Sequence, residues 1–173
     1  SGLESVMRDY GRVFSSFWQS EDARALTDDG KMLALYLLTC PHANLIGCFR
    51  LPNAYAADDL KWSIERVSKG LNELSESGFI VQDEATKWVL IKKYILWNRF
   101  ENGNVAIAAH KAYDQVPNIS IKTMLATALL DFGTFLKEPF VKALETVKKP
   151  FANPILNLNP NPSHPEPNQN QNP

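Results

Sequence analysis

A handful of side chains between positions 61 and 93 could contact a nucleic acid. They lie in and around WSIERVSKGLNELSESGFIVQD, residues 62–83. Arg66 and Lys69 are three apart, so a helix puts them on one face, with Ser63 a turn earlier. A guanidinium fork can pair with guanine, while Lys and Ser can reach phosphates or base edges. Asn72 is a further polar position off the apolar stripe. Lys61 precedes the segment, Lys87 falls between two β-rich runs, and Lys92 and Lys93 follow them. These four are placed to hold backbone phosphates. The acids temper this reading: from 61 to 77 the bases Lys61, Arg66 and Lys69 are matched by Glu65, Glu73 and Glu76. Glu73 and Glu76 lie toward the C-terminal end, away from the turns that would meet bases.

Other chemistry finds less support. Trp88, Tyr94, Trp97 and Phe100 could stack on single-stranded bases, but aromatics on a hairpin and the helix after it more often make core. Cys40, His42 and Cys48 are close in sequence, yet they form no C-x-x-C pair and the cysteines sit in apolar surroundings. His110 and His164 have no suitable partners nearby in sequence. LTDDGK holds Gly and Lys without the phosphate-loop pattern. Asp28–Asp29 and Asp58–Asp59 look like helix-start acids. No catalytic constellation emerges, and no enzyme, metal or cofactor is expected.

The elements that must position these residues follow from periodicity. TDDGKMLALYLLTC spaces Met32, Leu33, Tyr36, Leu37 and Cys40 as a helix, capped by Thr27 or Asp28 and ended by Pro41. IGCFRLP alternates like a short strand, and PNAYAADD is a short helix. In the next helix Ser63 is the N-cap, with Trp62 able to staple onto Val67. Ile64, Val67, Leu71 and Leu74 form its buried stripe. Gly78 suits the left-handed position after the helix, and Leu74 and Phe79 are the pair that touches in a Schellman ending. FIVQD and KWVLIKK, separated by EAT, make a hairpin. Helix, strand, helix, helix, hairpin is the order of a winged helix-turn-helix. VAIAAHKAYDQV, SIKTMLATALLDFGTFL and EPFVKALETVKK then read as helices, the second with Ile121, Met124, Leu125, Ala128, Leu129 and Phe132 on one face.

The bulk numbers agree. The chain has 173 residues, 45% of them hydrophobic, and a net charge of −1, so it can bury a core but has no broad basic surface. No apolar run is long enough for a transmembrane helix. Two isolated cysteines suit a reducing cytosol. Residues 1–6 read as an expression remnant, 7–101 as a winged-helix domain, 102–149 as a helical extension and 150–173 as a disordered Pro/Asn/Gln-rich tail.

Several stretches resemble the N-terminal region of phage and prophage replication proteins of the replisome-organiser kind. They are Phe17–Trp18, YLLTCPHANLIG from Tyr36 to Gly47, VSKGLNELSESGFIVQD from Val67 to Asp83, and WVLIKKYILWNRFENGN from Trp88 to Asn104. Asn98, Asn102 and Asn104 match the family's N-x-P-x-N-x-N segment, without its proline. The resemblance implies a winged helix that binds origin DNA in the bacterial cytoplasm, and in longer members helps deliver the host helicase. A low-complexity tail stands here where a loader ATPase would follow, so helicase loading by this chain is not expected.

The reading is thus a mainly α fold with a small β-hairpin wing, binding double-stranded DNA in replication initiation. Ser63, Arg66, Lys69 and Asn72 would meet the major groove, and Lys61, Lys87 and Lys92 the backbone. The apolar stripe of the helical extension is more often internal core than interface; as an interface it would make a homodimer or dock a partner. Two alternatives share the fold: a transcriptional regulator, and a protein-interaction module for the host replicative helicase or its loader.

Overall fold

The computed structural model describes residues 9–148. The remnant read at 1–6 and the tail read at 150–173 lie outside the described residues. A 3₁₀ turn, Ser15–Gln19, leads into α1 (Glu21–Arg24) and α2 (Asp28–Thr39). Then come β1 (Cys48–Arg50), α3 (Asn53–Leu60), α4 (Ile64–Glu76), β2 (Ile80–Asp83) and β3 (Trp88–Ile91). Four helices complete the order: α5 (Tyr94–Trp97), α6 (Gly103–Gln115), α7 (Ser120–Phe132) and α8 (Glu138–Lys148). The fold is mainly helical with one small antiparallel sheet, ordered β1-β3-β2.

Local chemistry sets the boundaries. The Thr27 hydroxyl accepts from the Gly30 amide at 3.1 Å, and Asp28 and Asp29 complement the start of α2. α2 stops because Pro41 forces Cys40 out of helical geometry, to φ −65° and ψ 156°. Ser63 caps α4 by accepting from the Arg66 amide at 3.2 Å. At its other end, the Phe79 amide donates to Leu74 carbonyl at 3.0 Å and the Gly78 amide to Ser75 carbonyl at 3.1 Å. That is the Schellman pair, and Gly78 takes the left-handed φ of 79° it requires. The hairpin closes through Asp83, whose carboxylate accepts from the amide and hydroxyl of Thr86.

The strands register with little slack. Cys48 pairs with Leu90 and Arg50 with Trp88; on the other side of β3, Ile80 pairs with Ile91 and Asp83 with Trp88. α4 packs on α2, α3 and β2, and α7 packs on α8, α5 and the β2–β3 hairpin. One apolar cluster therefore runs from Phe17 through Leu33, Leu71 and Ile91 to Leu125 and Leu144. Tyr94 and Phe100 belong to that core. Asn102 caps α6, accepting from the amides of Asn104 and Val105 at 3.0 Å each.

Four expectations need correction. Asp58 and Asp59, read as helix-start acids, lie in the last turn of α3. Ile64 is 56% exposed and off the buried stripe, which instead comprises Val67, Gly70, Leu71 and Leu74. The helix only begins at Ile64, so no neighbouring turn covers it. Met32 and Met124 are also exposed; each flanks its helix's apolar face, and Ala34, Leu38 and Ala126 take up the buried places. Finally, the helix read through Leu136 ends at Phe132, where the extended Gly133 amide donates back to Leu129 carbonyl at 2.8 Å.

Candidate nucleic-acid interface

Burying Val67, Gly70, Leu71 and Leu74 turns Glu65, Lys69, Asn72 and Glu76 outward, and all four are exposed. Among the described residues, Thr27 and Asn53 border this side without covering it. Lys69 thus stands on the open face with an acid on either side of it along the helix. The Asn72 side-chain carbonyl accepts from the Gln82 amide at 2.9 Å, tying the open face of α4 to β2. Ser68, Gln82 and Lys87 line a narrow cleft between α4 and the hairpin, with Asn53 at the start of α3.

Arg66 is turned the other way. Its Nε and Nη2 donate to the two carboxylate oxygens of Asp29 at 2.8 and 2.6 Å. Its guanidinium also lies 4.0 Å over the Trp62 ring. The hydrogen bonds hold the Asp29 carboxyl below its ordinary range, with the nearby Lys69 charge adding to the effect, and they raise Arg66 in turn. A bidentate fork filled by a carboxylate meets a guanine edge only by giving up that pair. Removing Arg66 would therefore also take away a link between α2 and α4, so a change there is not a pure test of ligand contact.

The remaining candidates divide by location. Lys61 sits in the turn between α3 and α4 at φ 56°, with its ammonium 3.0 Å from Asp58. Lys87 sits at the hairpin turn at φ 62°, where its amide donates to Asp83 carbonyl and its carbonyl accepts from the Leu51 amide, both at 2.8 Å. Lys92 is exposed just past β3, and Lys93 pairs with Asp22 at 3.4 Å. Ser63 is exposed but spends its oxygen on the helix cap. The fold thus brings Ser63, Lys69 and Asn72 onto or beside one open helix, puts Lys61 and Lys87 at its two bordering turns, and withdraws Arg66.

Sequence spacing did not find Asp29, Gln82 or exposed Ile64. The first is 37 residues from Arg66, and only the packing of α2 on α4 joins them. The cysteines are core groups. Burial raises the Cys40 thiol and pushes Cys48 up to about 12, so neither is a ready nucleophile or metal ligand. His42 lies 3.0 Å from Asp59, which also accepts from the Tyr36 hydroxyl at 2.6 Å. Among the described residues no three or more His, Cys, Asp and Glu gather as a metal site, and no helix is long and apolar enough to cross a membrane.

Compared with known protein families, with characterised proteins and with solved structures, the chain matches none of them.

Proposed function

We propose that the region from Tyr10 to Glu101 is a winged helix-turn-helix that binds double-stranded DNA in phage or prophage replication initiation. α2, β1, α3, α4 and the β2–β3 hairpin occur in the winged-helix order, with β3 between β1 and β2. The observation that carries the reading is the uncovered face of α4: it stands open beside the hairpin, where a groove-reading helix would lie. The two bordering turns add support. Lys61 and Lys87 both hold a left-handed backbone that costs a non-glycine residue about 1–2 kcal/mol, so lysines there point to a use for the side chain.

In this reading Ser63 and Asn72 face the major groove, and Lys69 beside them reaches a phosphate at its edge. Lys61, Lys87 and Lys92 hold phosphates, and Arg66 braces α4 against α2. Few phosphates are neutralised, so the dependence of affinity on salt is shallow, with a log–log slope of about −3 to −4 for four lysine contacts. Footprinting on phage origin and promoter DNA, with a salt titration, tests the assignment. Protection of origin repeats supports replication; protection of a promoter alone moves the module to transcription.

A second reading has its own observation. Asp29 captures Arg66, and Glu65 and Glu76 flank Lys69, so the open face carries no excess of positive charge. That suits a protein partner, such as the host replicative helicase or its loader, better than it suits a polyanion. Capture of the purified helicase by the full chain, with no retention of any duplex at low salt, would establish this reading in place of DNA binding.

A further inference from the structure

The first turn of α4 is chemically unusual for a helix that would enter a groove. Ser63 is committed to the cap and Arg66 to Asp29 and Trp62. That leaves Ile64 and Glu65 as the uncommitted side chains. Ile64 is 56% exposed, whereas Val67, Leu71 and Leu74 of the same helix are almost wholly buried. It shares an open groove with Ser68, Lys69 and Asn72 and with three acids, Glu65, Glu73 and Glu76. One branched aliphatic group set among hydrogen-bonding side chains matches the major-groove edge of a base pair carrying a methyl group.

We propose that Ile64 is a specificity-determining residue that contacts the 5-methyl group of a thymine. Of the four bases only thymine carries a methyl group in the major groove. The residue able to reward guanine in this turn, Arg66, is clamped. The first turn of α4 therefore favours thymine at the position it meets. This inference rests on the DNA-binding reading above and deepens it.

The test separates the two. Duplexes are selected from a random library by the full chain, and each thymine of the selected site is replaced singly by deoxyuridine, which removes only the methyl. One replacement should weaken binding by the parent about fourfold, the factor expected for one methyl's worth of buried apolar surface. The same replacement should be neutral in Ile64→Ala, whose melting temperature should equal the parent's because the side chain is mostly in solvent. A flat uracil series in the parent, or a loss that persists in Ile64→Ala, overturns this inference alone. Failure of the parent to retain any duplex overturns the DNA reading and this inference together.

Discussion

α4 and α7 are each 13 residues long, yet they do opposite work. In α7 the buried set Ile121, Leu125, Ala126 and Leu129 is enclosed by α8, α5 and the hairpin. Even its Lys122 turns inward, donating to Val116 carbonyl at 2.9 Å and lying 4.8 Å over the Tyr113 ring. α4 buries one side against α2, α3 and β2 and leaves Glu65, Lys69, Asn72 and Glu76 to solvent. The lesson is that α7 gives more of its surface to the fold, and α4 keeps more of its own in solvent for a partner. The α7 stripe is internal packing, so a homodimer would have to use another face.

The comparison breaks first at α7. Leu125 is fully buried, and Leu125→Ala should lower unfolding free energy by about 2–5 kcal/mol in urea titration. A loss below about 1 kcal/mol would mean that α7 is not enclosed as described.

A smaller effect is expected where α4 turns into the hairpin. A Cβ at Gly78 would meet nothing within 4 Å, so Gly78→Ala isolates the backbone penalty of the left-handed turn. That penalty is about 1–2 kcal/mol. An unchanged midpoint in the same titration would show that the turn is relaxed without glycine.

The clamp on α4 sharpens the contrast further. Asp29→Asn should release Arg66 toward the open face and make the log–log salt slope of DNA binding steeper by about one. Tighter binding at low salt supports the clamp, and an unaltered slope counts against it. Its pH dependence has a definite sign. Asp29 titrates below its ordinary value in the folded chain, so its contribution is complete above that ordinary value and disappears as pH falls through the lowered one. Stability across pH 5–8 should be the same with and without the substitution, apart from a constant offset. On acidification beyond that range the parent should lose more stability than Asp29→Asn.

What could be read from the sequence was local. The Ser63 cap, the Gly78 turn with its Leu74–Phe79 ending, and the hairpin all depend on residues a few positions apart, and their chemistry announces them. The short helices α1 and α5 escaped because four residues carry no periodicity. Ile64 escaped for a related reason: spacing alone puts it on the stripe, but a first-turn residue is covered only if another element arrives there. The Asp29 clamp is a product of tertiary packing, and it is what separates the two basic residues, Arg66 and Lys69, that spacing had joined. The even charge count across the segment therefore conceals two cations held by acids, Lys61 by Asp58 and Arg66 by Asp29, and a third, Lys69, exposed on the open face.

Lys69 is the most direct point of attack. Its side chain stands on the open face of α4, so Lys69→Ala should leave the melting temperature unchanged. In a salt titration of binding to a selected duplex, the substitution should weaken affinity and reduce the log–log slope by about 0.9, the loss of one phosphate contact. Parent and variant binding with the same affinity and the same slope would contradict the assignment of this face of α4 to DNA.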